Sequence, residues 1–168
     1  MIESAGRVVL ISGASRGIGR AIALSLHAKG YTISAGARDV AALEQSLDSI
    51  RGDRLLCCAY QAADRATHTA WVEATIGVFG RIDVLVNNAG TSNTFSVEEG
   101  EEEDLDALWS SNVKGPLFMT RACLPYLRAS GHGRVVNVSS LSGKRVRNSN
   151  VAYAMTKYAV MALTHATR

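Results

Sequence analysis

Apolar residues along this chain follow two alternating rhythms. Short unbroken apolar runs occur at 7–12 (RVVLIS), 32–36, 55–60, 83–87 (DVLVN) and 134–139 (RVVNVS). Runs of this length without polar alternation predict strands buried on both faces, as in a parallel sheet. Between them the apolar positions recur at helical spacing. Ile18, Ile22, Ser25 and Leu26 share one face of a helix that starts near Gly17 and stops at Gly30. Asp39 is placed to cap a helix carrying Leu43, Leu47 and Ile50. Further helices are expected over 66–79, over one long stretch from about 101 to 128, and from about 152 to the last residue. Strands alternating with helices build βαβ units. The expected fold is therefore α/β, a doubly wound, Rossmann-like parallel sheet. Residues 1–168 read as one domain, without repeat, linker or low-complexity tract.

Composition narrows the function classes. With 47% apolar residues the chain has enough material for a core, and its net charge of +3 lacks the clustering of a nucleic-acid footprint. No apolar run is long enough to span a bilayer, and the first residues, MIESAGRVVLISG, carry no secretion signal. Cys57, Cys58 and Cys123 have no metal-like spacing, so no metal site is expected. They read as packing residues in a reducing cytoplasm, with Cys57 and Cys58 pointing to opposite faces of a strand.

Chemistry gathers at the strand ends. Between the first strand and first helix lies Gly13-Ala14-Ser15-Arg16-Gly17-Ile18-Gly19. Glycines there permit a tight turn and close approach of backbone to a pyrophosphate, and the helix N-terminus offers free N–H groups and a positive dipole end. The spacing is G-x-x-x-G-x-G, and its position after the first strand gives it weight. Arg16 lies in that turn, and Arg38 follows the second strand where the adenosine ribose is met. An acid there would bond a 2′-hydroxyl, whereas arginine accommodates a 2′-phosphate. The pair favours NADP(H) over NAD(H), with Asp39 next door arguing the other way. Asn87-Asn88-Ala89-Gly90 closes the fourth strand, and Ser139-Ser140 the fifth. Tyr153 and Lys157, at i and i+4, share a helix face. Hydride reduction of a carbonyl leaves an alkoxide that needs a proton. A tyrosine hydroxyl can supply it, although free tyrosine ionises near 10. A neighbouring ammonium favours the tyrosinate, and a serine hydroxyl can hold the substrate oxygen.

Gly13-x-x-x-Gly17-x-Gly19, Asn87-Asn88-Ala89-Gly90, Asn112, Ser140 and Tyr153-x-x-x-Lys157, in this order, resemble the short-chain dehydrogenases/reductases, in the shorter organisation of 3-oxoacyl-[acyl-carrier-protein] reductases. That resemblance covers essentially the whole chain. It implies a catalytic set of Asn112, Ser140, Tyr153 and Lys157. Tyr153 is then the general acid/base. Lys157 lowers its pKa and binds the nicotinamide ribose, Ser140 polarises the carbonyl, and Asn112 holds a water that links Lys157 to solvent. Ser140 is preferred to Ser139 because it precedes Tyr153 by 13 positions, the family's spacing. The implied cofactor contacts are Gly13, Ser15, Arg16, Gly17, Ile18, Gly19, Arg38, Gln61, Ala62, Asn88, Ala89, Gly90, Tyr153 and Lys157. Gln61 stands where the family usually has the aspartate that meets the adenine, and Asp64 reads as a helix cap instead. The backbone supports the Asn112 role: the N–H that would bond its carbonyl belongs to residue 116, which is proline.

The resemblance also implies a homotetramer packed partly through the long helix and the last helix. It implies a sixth strand, a Pro-Gly turn, a lid and a seventh strand beyond Arg168. None of these is in the sequence, so a longer parent protein is expected. The substrate class is a small carbonyl or secondary alcohol, with neither nucleic acid nor membrane as partner. Two other functions use the same residues. One is NAD-linked oxidation of a secondary alcohol or sugar. The other is a nucleotide-binding scaffold without turnover, because the chain stops short. Other features read as ordinary structure. The acidic run 98–104 complements a helix start, and Lys144, Arg145 and Arg147 are surface charge beside the substrate side. The four histidines form no cluster, and Trp71 and Trp109 are core anchors.

Overall fold

The computed structural model describes residues 4–146 and 150–167. Five strands form a parallel sheet: β1 (Val8–Ser12), β2 (Thr32–Ala37), β3 (Leu55–Ala59), β4 (Val84–Asn87) and β5 (Arg134–Asn137), in the order β3-β2-β1-β4-β5. The helices are α1 (Gly17–Ala28), α2 (Val40–Ser46), α3 (Arg65–Phe79), α4 (Glu102–Trp109), α5 (Gly115–Ala129) and α6 (Val151–Ala166). This is the doubly wound α/β architecture expected, with the fifth strand ending two residues earlier.

Central β1 is buried at all five positions, and its side chains alternate between two cores. Val8 and Leu10 join Trp71 and Val72 of α3 and Met119, Cys123 and Leu127 of α5. Val9 and Ile11 face the other way, against Ala23 of α1 and Leu43 of α2 with Leu47. The adjacent thiols of β3 divide in the same manner, Cys58 packing on the first core and Cys57 on the second. Burial pushes the Cys58 thiol up to about 11 and the Cys123 thiol to about 12, which makes both poor nucleophiles.

Helix ends follow the capping residues. The Asp39 carboxylate accepts from the Ala42 N–H at 3.0 Å and the Asp64 carboxylate from the Ala66 N–H at 2.9 Å. Gly80 closes α3 in the left-handed region, φ 72°, and donates to the Ile76 carbonyl.

Two expectations need correction. The stretch from 101 to 128 is not one regular helix: a π-helical turn, Ser110–Lys114, separates α4 from α5, and the Gly115 N–H reaches five residues back to the Ser110 carbonyl. Pro116 supplies the reason, since it cannot donate into the ladder and settles instead in the first turn of α5. A Cβ on Gly115 would sit 2.8 Å from the Ala62 Cβ, so glycine lets this turn close on the segment after β3. Trp109 is not a core anchor. It is half-buried at the end of α4, where Leu108 takes the interior position. Trp71 does anchor the core. Its indole N–H donates to Ser34 Oγ at 2.8 Å and its ring lies against Gly36, where a Cβ would come within 2.7 Å of it.

At the opposite edge from the strand ends, Asp83 is fully buried. Its carboxylate accepts from the Val8 N–H at 2.9 Å and from Arg81 through two bonds of 2.8 and 2.6 Å. Its backbone bonds the Val8 carbonyl and the Arg134 N–H. One residue therefore joins the starts of β1, β4 and β5. Asp83→Ala removes charge-assisted bonds and orphans a buried N–H, a loss of about 2–3 kcal/mol. Urea unfolding should show that loss, with Asp83→Asn, which keeps an acceptor for Val8, losing less. Equal stability of all three forms would contradict this role.

Candidate active site

The C-terminal ends of β1, β4 and β5 lie side by side, and most of the residues singled out from the sequence lie on segments that follow the C-terminal ends of the five strands. Gly13 (φ 69°) and Gly17 (φ 56°) hold left-handed backbone that other residues adopt only at a cost. A Cβ on Gly19 would strike the Gly13 carbonyl and the Asn88 amide, so this third glycine lets α1 close on the turn. The Gly13 and Ala14 N–H groups are taken by the Gly36 carbonyl at 2.8 and 3.2 Å. Arg16 stands at the N-cap of α1 without a side-chain cap, and the first turn of α1 holds no acid. Positive dipole and free N–H groups thus face outward, the arrangement that suits a phosphate.

Ser12 was read only as the end of a strand, yet its hydroxyl organises the site. It is 1% exposed and accepts from the Asn88 and Ala89 N–H groups, both at 3.0 Å. The Asn88 side-chain amide returns bonds to the Ser12 and Gly13 carbonyls at 2.9 and 3.1 Å. The glycine turn and the Asn88-Ala89-Gly90 segment are in this way one hydrogen-bonded unit. A serine closing an otherwise apolar buried strand was the available signal, because a buried hydroxyl requires partners.

A cleft of about 360 Å³ opens over this unit. Gly13, Ser15, Arg16, Arg38, Gln61, Ala62, Asn88, Ala89 and Gly90 line it, joined by Ala37, Tyr60, Ala63, Thr91 and Ser111, which the sequence reading did not single out. Gly17, Ile18, Gly19, Tyr153 and Lys157 are not in its wall. Ile18 is 63% exposed, and Gly19 packs behind the turn. Asp39 caps α2 through Oδ1, and Arg38 lines the cleft. Gln61 is braced through its backbone. Its carbonyl accepts from the Asp64 N–H at 2.9 Å and bonds His68 Nε2 at 3.1 Å, and its N–H donates to Thr67 Oγ1 at 3.0 Å. His68 is buried, stacks on Tyr60 at 5.0 Å, and is held below the ordinary histidine pKa by burial.

Lys157 and Asn112 adjoin the cleft at Gly90. A Cβ there would lie 3.0 Å from Asn112 Oδ1 and 3.7 Å from Lys157 Nζ. Lys157 is 6% exposed, donates to the Val138 carbonyl at 3.0 Å, and holds its ammonium 5.5 Å from the Tyr153 ring centroid. Burial lowers its pKa. The Asn112 side chain is fully engaged. Oδ1 accepts from the Thr91 N–H at 2.9 Å, while Nδ2 donates to the Thr91 carbonyl at 2.9 Å and to Thr156 Oγ1 at 3.1 Å. Ser140 opens the short turn Leu141–Gly143, and its Oγ accepts from the Ser142 N–H at 3.2 Å. Asn150 was also missed. It caps α6 by accepting from the Tyr153 N–H at 3.1 Å, and its amide donates to Ser92 Oγ and the Asn93 carbonyl. Lys144 and Arg145 are exposed, and Arg147 lies outside the described residues. No helix among the described residues is long and apolar enough to cross a membrane.

With this fold and this arrangement of serine, tyrosine, lysine and asparagine, the chain belongs to the short chain dehydrogenase family, whose model matches residues 7–168. It is 46% identical over 162 residues to an agropine synthesis reductase of Rhizobium rhizogenes, covering 96% of this chain and 37% of the relative. A short chain dehydrogenase/reductase from Burkholderia phymatum, solved with NAD, superposes with a TM-score of 0.94 at 28% identity, over 99% of this chain and 60% of that one. A gluconate 5-dehydrogenase from Burkholderia cenocepacia, solved with NADP and tartrate, gives 0.90 at 30% identity, over 97% and 65%. The chain thus spans between about a third and two thirds of the length of these relatives.

Burial of Lys157 has a measurable consequence. Its folded pKa lies below the unfolded value, so the charged amine costs the fold stability at pH 7. That cost is relieved as pH rises through the folded pKa towards about 10.4. Lys157→Met, of similar volume, should therefore be the more stable form at pH 7, with an advantage that shrinks as pH approaches 10. Denaturant titrations across this range test it, and a pH-independent difference would be the contrary result.

Proposed function

We propose that this chain carries the site of a reversible NADP(H)-dependent carbonyl reduction, giving a secondary alcohol. The observation that carries the reading is the buried Lys157 ammonium, held by the Val138 carbonyl and 5.5 Å from the Tyr153 ring, beside the cleft at Gly90. The cleft suits a dinucleotide. Gly19 lets α1 close on the glycine turn, the N-terminus of α1 is uncapped and free of acid, and two arginines line the wall. When bound there, the nicotinamide supplies or accepts the hydride.

The remaining work falls to the chain's own side chains. Tyr153 delivers a proton to the substrate oxygen in reduction and removes it in oxidation. The ammonium of Lys157 sets a positive charge 5.5 Å from the Tyr153 ring, in surroundings where little water screens it. Ser140 holds the substrate oxygen. Asn112 acts through its main chain: its side chain is committed to Thr91 and Thr156, Pro116 offers its carbonyl no N–H at the α-helical position, and the carbonyl accepts from a water that passes protons between Lys157 and solvent. Gln61 and Ala62 meet the adenine, and Ser15, Gly17 and Ile18 receive the pyrophosphate at the start of α1. Arg16 and Arg38, both in the wall of the cleft, favour the 2′-phosphate of NADP(H). The three free thiols suit a reducing, cytoplasmic setting. Exposed Leu117 on α5 and Met155 and Tyr158 on α6 supply apolar surface for a homotetramer.

Turnover of a panel of ketones with NADPH tests the reading directly. Tyr153→Phe should lower kcat by about 100-fold or more while dinucleotide affinity is kept. Activity surviving in this variant would remove Tyr153 from its role, and absence of turnover in the unaltered protein would favour a binding scaffold. For the cofactor, Arg38→Ala should cost NADPH about 10- to 100-fold in kcat/KM, the worth of a charged hydrogen bond, and leave NADH little changed. Equal losses for both would remove Arg38 from recognition of the 2′-phosphate, and a higher kcat/KM with NADH in the unaltered protein would point to NAD-linked alcohol or sugar oxidation.

A further inference from the structure

Ser139 and Ser140 are neighbours at the exit of β5, and only Ser140 has a part in the chemistry proposed above. Ser139 is turned the other way. Its Oγ donates to the Lys157 backbone carbonyl at 3.2 Å. One residue earlier, the Val138 carbonyl accepts from Lys157 Nζ at 3.0 Å. Two consecutive residues leaving the sheet therefore hold the same lysine at its head and at its root. Val138 is itself fixed to the sheet, since its N–H donates to the Asn87 carbonyl at 2.9 Å.

Gly143 seals this grip. A Cβ at that position would come within 2.7 Å of both the Lys157 carbonyl and Ser139 Oγ. Any larger residue would push the turn away from α6 and open the bond to water. Gly143 is buried, and its N–H donates to the Ser140 carbonyl at 3.0 Å. The turn that presents Ser140 and the helix that presents Tyr153 and Lys157 meet at this point.

We infer that Ser139 is a positioning residue, whose hydroxyl locks the backbone of α6 at Lys157 to the end of β5 and so sets the distance between Ser140 and the Tyr153–Lys157 pair. A lysine has four rotatable side-chain bonds, and one acceptor on its ammonium leaves it free to swing about its root. Fixing the carbonyl at the root as well restricts that motion. Displacement of about 1 Å in a reacting group is enough to cost up to 100-fold in rate, which is the scale on which such a tether acts.

The inference rests on the reading of Tyr153 and Lys157 as the proton-transfer pair, and the test separates the two. In Ser139→Ala, kcat should fall about tenfold with KM for the dinucleotide unchanged, and Ser139→Thr, which keeps the hydroxyl, should recover most of it. A second readout needs no turnover. Trace labelling of the cofactor-free protein with an amine-reactive acylating agent, followed by mass spectrometry, compares Lys157 with the exposed Lys29 and Lys144. Lys157 should label slowly in the unaltered protein and severalfold faster in Ser139→Ala. Unchanged labelling in Ser139→Ala overturns the inference whatever happens to kcat, and so does unchanged kcat in an active protein, even with a lowered melting temperature. If the unaltered protein reduces no ketone but the labelling behaves as stated, the tether stands and the proposed reaction fails.

Discussion

β1 is buried on both faces and hydrogen-bonded along both edges, and its place in the sheet decides where every other group of the site can lie. Pairing of Ser12 with Gly36 on one side and of Ile11 with Val86 on the other sets the heights of β2 and β4. β5 is then set by β4, with Asn87 opposite Asn137. Because all the pairs are parallel, the carboxyl ends of these strands finish on one edge, and the loops leaving them meet over a single cleft. The Asp83 carboxylate performs the matching task at the opposite edge, tying β1 to β4 where they begin.

Side-chain amides hold that edge together. Asn88 binds the glycine turn, Asn112 binds both polar groups of the Thr91 peptide, and Asn150 binds the segment after β4 to the start of α6. Each amide is both donor and acceptor and can satisfy an N–H and a C=O on a chain segment that has no ladder of its own. Irregular backbone near a buried lysine would otherwise leave polar groups unpaired, at a cost of about 1–3 kcal/mol each. This network keeps the loops in register without regular secondary structure. It also commits the Asn112 side chain, which leaves the main chain as the part available to the proposed relay.

Stability and the proposed chemistry pull in opposite directions at Lys157. An ammonium with one protein acceptor and little water is unfavourable in the fold, and the same desolvation strengthens its field at Tyr153. Ser12, by contrast, is buried with every bonding capacity used, and so contributes to order alone. Adjacent residues can divide in the same way: Ser140 faces the turn that begins with it, and Ser139 faces the helix.

How far the sequence reaches depends on the range of the interaction. Periodicity located the strands and helices, because burial on one face or two leaves a repeat along the chain that needs no partner to be seen. Capping by Asp39 and Asp64 was legible for the same local reason, and so were the glycine turn and the four-residue step from Tyr153 to Lys157. The π-helical turn was half visible: Pro116 announced a missing bond, but the response of the ladder, a widened turn closing on Ala62, depends on what packs against Gly115. The tasks of Ser12, Ser139 and Asn150 were not legible. Their bonds run to residues as far away as Asn88, Lys157 and Asn93, and a hydroxyl or amide in the sequence does not state which distant backbone group it will satisfy. Sequence by itself determined the elements and the kinds of chemical group available. Tertiary structure alone decided which of those groups face each other, because parallel pairing brings together strand ends that lie dozens of residues apart along the chain.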